Sequence, residues 1–324
     1  MNHNLIRKKN HYLRLSKNTS KDRFSNFFRG IIANFYQKPF FRIDYICRKN
    51  CLKTRYFIFF SYKGTLYHGW QYQPDSANIQ ETVDNALSTI LKESINTTGA
   101  GRTDAGVHAL LFCAHFESIA ENLENEEKLL FRLNGFLPKD ISVSRICKVL
   151  PDAHARFSAV SRTYKYYISQ LKDPFMEDYS WYMHGSADIG IMNRACEVLV
   201  SHSDFTSFSK LHSDNKTSLC NIYEASWKKK GSILVFTIRA DRFLRNMVRS
   251  IVGTVIRTGT GKMSLEKFKE ITEAGDRGKA GQSAPARGLF LADIEYPPGI
   301  FLTNPDHSRS PRNVLPGRTA FQDL

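Results

Sequence analysis

The sequence predicts an α+β fold built as two halves, and three observations carry that prediction. Strand-like and helix-like runs are mixed along the chain instead of alternating one for one, the pattern of an α+β fold and not of a regular parallel α/β sheet. The mixture runs once over residues 53–158 and starts afresh over 159–297. With 324 residues, 42% apolar and 24% charged, the chain has material for a substantial core and is not wholesale disordered. At roughly 100–200 residues per domain, one large or two modest domains are expected. No apolar run approaches the roughly 18 residues that a bilayer span needs.

The first half opens at Tyr56-Phe57-Ile58-Phe59-Phe60, an unbroken apolar run that reads as a buried strand, followed by a Lys63-Gly64 turn. Asn78-Ile79-Gln80-Glu81 reads as a capping box. Ile79, Val83, Leu87, Ile90 and Leu91 then mark one face of a helix. Residues 95–100 and 109–117 read as strands around a glycine-rich loop, 121–134 as a helix, and Ile141–Leu150 as an alternating strand. In the second half, Tyr164–Ser169 alternates as a strand and 188–200 reads as a helix. Ile222–Lys228 and Ser232–Ala240 read as strands joined by a Gly231 turn. Phe243–Thr258 is a strongly apolar helix, Ser264–Ala274 a shorter one, and Leu289–Tyr296 a last strand.

The formal net charge is +15. Such a balance favours a polyanionic partner, nucleic acid before an anionic membrane. The charge is concentrated: residues 1–52 carry 12 Lys/Arg and two acids, Asp22 and Asp44, a net of +10. This extension also has Phe24, Phe27, Phe28, Ile31, Ile32 and Phe35 at helical spacing. It reads as a mobile arm or as residues upstream of the true start, with an amphipathic organellar targeting helix as the alternative. Residues 298–324, rich in Pro, Asn and Arg, read as a tail. The six cysteines form no C-x-x-C pair, so no structural zinc site is expected. Scattered, unpaired thiols fit a reducing, cytoplasmic compartment.

Chemistry is densest in Gly99-Ala100-Gly101-Arg102-Thr103-Asp104-Ala105-Gly106-Val107-His108. Its glycines permit sharp turns and close approach of the backbone to a ligand. It lacks the spacing of a phosphate-binding P-loop and of a dinucleotide fingerprint, so no nucleotide cofactor is indicated. On residue types alone, Asp104 reads first as a turn residue whose side chain bonds its own backbone. Arg249 sits among Met247, Val248, Ile251 and Val252. It is either a snorkelling surface residue or a buried cation that requires a partner.

The stretch Gly101–His108 resembles the catalytic motif of the tRNA pseudouridine synthase A family. Further blocks follow in family order: Gly64-Thr65 with His68-Gly69-Trp70-Gln71, resembling the family's first hairpin, then Asn134–Pro138 with Asp140-Ile141, then Ala153–Ala159. Arg162–Tyr166, Asp204–Phe208, Met247–Gly253 and Ala284–Leu289 complete the set. One departure is Lys63, where the family often has Asp before the hairpin glycine. The resemblance implies two halves, each like an RNA-recognition (ferredoxin-like) fold, whose antiparallel sheets join across a central active-site cleft. It implies isomerisation of uridine to pseudouridine at positions 38–40 of the tRNA anticodon arm, by a homodimer and without metal or organic cofactor.

The resemblance also assigns roles. Asp104 is the nucleophile, Arg249 its ion-pair partner across the two halves, and Tyr164 a ring on the target uracil with a part in removing the C5 proton. Arg102 fills the space left by the extruded base, in keeping with the need to flip a base before acting on it. His108 contacts substrate or is structural, and His68 stands in the same position. Two other readings stay open: a catalytically silent tRNA-binding protein on the same scaffold, and a synthase acting on another RNA.

Overall fold

The computed structural model describes residues 53–210 and 217–302. The basic extension 1–52, and the tail from residue 303, lie outside the described residues. The first half supplies β1 (Thr54–Tyr62), α1 (Ile79–Leu91), β2 (Thr98–Gly99), β3 (His108–Ser118), α2 (Glu127–Phe136) and β4 (Ile141–Lys148). The second supplies β5 (Ser161–Ser169), β6 (Trp181–Tyr182), α3 (Ile189–Val200), β7 (Ile222–Lys230), β8 (Ile233–Ala240), α4 (Met247–Gly259), α5 (Leu265–Glu273) and β9 (Leu289–Glu295).

These strands form one mostly antiparallel sheet in the order β4-β1-β3-β9-β5-β8-β7, with β2 and β6 as short additions. The last strand therefore returns to the middle. It pairs antiparallel with β5 and parallel with β3, where His108 lies opposite Phe290 and Ala109 opposite Leu291. That short parallel join sits immediately after the glycine-rich loop.

Helices cover each half of the sheet and set up two apolar clusters. The run Tyr56–Phe60 has no polar face because β1 is buried on both sides. Phe57 meets Tyr296 at 5.1 Å on one side. Phe60 meets Phe112 at 5.4 Å, and Trp70 stacks on Phe112 at 4.4 Å. In the second cluster, Tyr166, Met192, Phe208, Phe236, Ile251 and Phe268 pack α3, α4 and α5 onto β5 and β8. Helix α4 is buried almost all round. Its Gly253 lets another segment lie directly on it: a Cβ there would stand 1.9 Å from the Gln282 carbonyl oxygen.

Several elements differ from the sequence reading. Asn78 caps α1 by accepting from the Glu81 N–H at 2.8 Å, but Glu81 answers the Asn78 side-chain amide, not its backbone N–H. The strand expected over 95–100 shrinks to Thr98–Gly99. The helix expected over 121–134 splits into a 3-10 turn at Leu123–Asn125 and α2. Lys63-Gly64 opens a 3-10 turn, Gly64–Leu66, and not a hairpin, because β1 already has β3 and β4 on its two edges. Helix α4 begins four residues later than its apolar pattern. Asn246 sits in the left-handed region at φ 65°, so Phe243–Asn246 form a loop.

Candidate active site

The glycine-rich loop is held by the segment that precedes α1. The Trp70 N–H donates to the Thr103 carbonyl at 3.3 Å, and the Gly106 N–H to the Tyr67 carbonyl at 3.2 Å. The Tyr62 and Thr103 hydroxyls share a hydrogen bond of 2.8 Å. Glycine is required where these segments touch: Gly69 has φ +96°, and a Cβ on it would lie 2.3 Å from the Thr103 carbonyl oxygen. Asp104 does take part in a turn, but through its main chain. Its carbonyl accepts from the Val107 N–H at 3.2 Å, and Gly106 at φ +77° fills the third position, as in a type II turn. The carboxylate is thereby left available for other work.

That carboxylate faces helix α4 and the loop that leads into it. Arg249 Nη1 donates to Asp104 Oδ2 at 3.2 Å, and Arg245 Nε lies 3.9 Å from Oδ1. Arg249 is steadied from behind, because its Nε donates to the Ala284 carbonyl at 2.7 Å. The Ala284 N–H returns a bond to the Arg249 carbonyl at 2.9 Å, and the Gly281 N–H donates to Thr254 Oγ1 at 3.0 Å. The close approach at Gly253 makes this lacing of residues 281–284 onto α4 possible. Side-chain exposures of 26% for Asp104 and 21% for Arg249 leave the pair open to a ligand yet mostly shielded from water.

Tyr164 projects from β5, half-buried, with Phe243 edge-on at 5.1 Å. Burial pushes its phenol up to about 12; the Arg162 charge opposes the rise and the Asp104 charge adds to it, which puts Tyr164 and Asp104 in one electrostatic environment. Tyr166, two residues on, is core, its hydroxyl donating to the Pro285 carbonyl at 2.7 Å.

A cleft of about 1330 Å³ opens over the Asp104–Arg249 pair. Among the described residues its charged walls comprise five cations, Arg102, Lys210, Arg245, Arg249 and Arg277, against the single carboxylate of Asp104. Arg102 is exposed in it, and His68 lines it. His108 is not brought there. It is 1% exposed at the β3–β9 join, its Nδ1 accepting from the Gly64 N–H at 3.0 Å. Its Nε2 therefore carries the proton and donates to the carbonyls of Asp178 at 3.0 Å and Arg287 at 3.1 Å. Burial holds this imidazole down to about 4, a neutral ring that pins the foot of the loop. Lys63 acquires a reason here too: its ammonium pairs with Asp178 at 2.8 Å and fastens the same turn. Among the described residues no group of three or more His, Cys, Asp or Glu could hold a metal ion.

Sequence reasoning missed Arg245, Lys210 and Arg277 as cleft cations. Arg245 lies four residues before Arg249 in the loop that leads into α4, and that sequence spacing was the available signal. It also assigned no role to Arg162. This guanidinium donates to three carbonyls: Asp241 at 2.8 Å, Ala100 at 3.0 Å, and Arg156.

Comparison with known proteins points the same way. A family model described as tRNA pseudouridine synthase matches residues 195–297. The tRNA pseudouridine synthase A of Bacteroides fragilis is 53% identical over 248 residues, covering 76% of this chain and 98% of its own. That of Porphyromonas gingivalis is 49% identical over 77% of this chain and 100% of its own. That of Francisella tularensis subsp. novicida is 37% identical over 75% and 94%. With relatives this similar over nearly their full lengths, the chain belongs to the tRNA pseudouridine synthase A family.

Proposed function

We propose that this protein isomerises uridine to pseudouridine in tRNA, with Asp104 as the nucleophile. The observation that carries the reading is the Asp104–Arg249 pair, one partner from each half, at the base of a cleft walled by five cations among the described residues. A polyanion is drawn to those cations. The carboxylate among them stands where a flipped nucleoside would arrive. In the reaction the N1–C1′ bond breaks, the base turns, and a C5–C1′ bond forms. C5 gives up a proton and N1 gains one, so nothing is consumed. Asp104 forms the transient covalent bond to the nucleoside. Arg249 and Arg245 orient its two oxygens. Tyr164 faces the uracil and takes part in moving the C5 proton. Arg102, exposed in the cleft, occupies the gap left by the flipped base.

The substrate we assign is the anticodon arm at uridines 38, 39 and 40, where bases can be splayed from a loop. We place the reaction in the cytoplasm and expect a homodimer. The division into halves, 53–158 and 159–297, is likewise proposed, supported by strands of the two halves lying on either side of β9. Among the described residues no helix is long and apolar enough to cross a membrane. The test is incubation of the purified chain with unmodified tRNA transcripts, followed by mapping of pseudouridine. Product confined to positions 38–40 supports the reading. Product absent from tRNA but formed when unmodified ribosomal RNA is supplied instead, or tight tRNA binding without product, overturns it in favour of another RNA or a silent binder.

A further inference from the structure

The loop between β4 and β5 presents a phenylalanine to solvent in an unusual setting. Phe157 is 75% exposed. A lone exposed apolar side chain needs no explanation, but the backbone that carries this one is closely hydrogen-bonded. His154 Nδ1 accepts from the Arg156 N–H at 3.1 Å and from the Phe157 N–H at 3.4 Å. The His154 N–H donates to Ser158 Oγ at 2.9 Å. Ala155 is fixed at both ends: its N–H donates to His115 Nδ1 at 3.1 Å, and its carbonyl accepts from the Tyr296 hydroxyl at 2.6 Å. Arg55 donates to the Ala153 carbonyl at 3.1 Å. The ring's close neighbours are two flat, polar groups, the His154 imidazole at 4.4 Å and the Arg156 guanidinium at 5.5 Å.

The loop is also tied to the cleft. Arg162 Nη2 bonds both the Arg156 carbonyl and the Ala100 carbonyl at the root of the catalytic loop. The same guanidinium reaches Asp241, where the loop carrying Phe243 and Arg245 begins. Arg162 and Tyr164 are two residues apart on β5, which pairs with β8 without a register shift, so they share a face. Arg162's charge is felt by the Tyr164 phenol. The loop that carries Phe157 is therefore anchored, through Arg162, to the strand that carries Tyr164.

We propose that Phe157, with Arg156 beside it, is a stacking platform for an unpaired base of the RNA next to the flipped uridine. An exposed ring with an adjacent cation is what a splayed base requires: a π-face to stack on and a positive charge for the phosphate. Less is lost on binding, because the backbone that carries the ring is already fixed. The inference rests on the synthase reading above.

The test uses the full chain and unmodified tRNA transcript, measuring Kd, KM and kcat for Phe157→Ala, Phe157→Leu and Phe157→Trp. Stacking is worth about 1–3 kcal/mol per base, or roughly 5- to 150-fold in binding. Phe157→Ala and Phe157→Leu are each expected to weaken Kd and KM within that range, with kcat at saturating tRNA changed less than about twofold. Phe157→Trp is expected to bind within about threefold of the original, and its added indole emission to be quenched saturably by tRNA. A Kd for Phe157→Ala within about twofold of the original overturns the proposal, as does an added emission in Phe157→Trp that tRNA leaves unchanged. So does a change in the free protein's sedimenting mass that accounts for the loss, since Phe157 would then be a contact between copies. If the original chain makes no pseudouridine while the quench persists, the synthase reading fails and the platform stands. If product forms and the Phe157 variants bind normally, the reverse holds.

Discussion

Replacing Arg249 with Met removes the charge facing Asp104 while keeping most of the side chain's volume inside α4. At 3.2 Å the Coulomb attraction is about 5 kcal/mol at an effective dielectric of 20 and about 1.3 kcal/mol in bulk water. Both groups are about a quarter exposed or less, so the pair lies between these limits, and the cost of desolvating the guanidinium reduces it further. A net value of about 2–3 kcal/mol results, comparable to a hydrogen bond to a charged group. Arg245, at 3.9 Å and more exposed, replaces little of it. If that free energy holds the carboxylate in its reactive orientation, its loss lowers kcat by about 30- to 150-fold. KM changes less, because four other cleft cations remain. The assay is release of tritium from C5-labelled uridine in tRNA, with Tm measured alongside. Arg249→Lys keeps the charge but loses the fork that joins Asp104 to the Ala284 carbonyl, and should fall between the two. A kcat within about twofold of the original in Arg249→Met, with Tm unchanged, would refute the reasoning.

Three further outcomes follow from other parts of the structure. Gly69→Ala places a methyl 2.3 Å from the Thr103 carbonyl at φ +96° and should cost about 1–3 kcal/mol with loss of activity. Gly101→Ala meets nothing within 4 Å and should leave Tm unchanged. Equal Tm losses in the two variants would contradict the close packing at Gly69. The neutral imidazole of His108 titrates at about 4 when folded and near 6.5 when unfolded. The unfolded chain therefore binds more protons between those values. Stability is full above pH 6.5 and declines as pH falls toward 4, by up to about 3 kcal/mol, with buried His115 acting in the same direction. Urea unfolding at pH 7 and pH 5 should show the decline, and His108→Gln should flatten it; an unaltered slope would count against the assignment. Finally, every residue lining the cleft lies between His68 and Ser283, so a chain beginning at Lys53 should keep its tRNA affinity and kcat. A loss of tenfold or more in either would make the basic extension part of the binding surface.

The candidate role of Asp104 was legible only through the resemblance, because Gly101–His108 matches a family motif and further blocks follow in family order, whereas the residue types alone favour a turn. Helix α1 was legible because Asn78 and Glu81 announce its start and the apolar period continues without a break. Helix α4 was misjudged at its start because Phe243 and Leu244 continue the apolar pattern into a loop, and Asn246's left-handed backbone leaves no mark in composition. The turn at Lys63-Gly64 was legible, but the hairpin that the resemblance implied there is replaced by a 3-10 turn, because β1 is paired with β3 and β4, which arrive from far along the chain. The cleft cations come from four separate segments, so only the folded chain gathers them; Arg162 likewise draws meaning from three carbonyls distant in sequence. Charge asymmetry, though plain in the sequence, pointed to residues 1–52, while the cleft's cations belong to the less basic body.

Whether the Asp104 carboxylate carries out the isomerisation, or only helps to bind RNA, turns on its negative charge. Asp104→Asn keeps the side chain's shape and its capacity to accept from Arg249, but removes that charge. The deciding measurement is single-turnover tritium release, with excess protein over labelled tRNA, beside the tRNA Kd. The expected result is no detectable release, less than about one part in a thousand of the original rate, with Kd within about threefold. Release at a rate near the original would show that another group is the nucleophile.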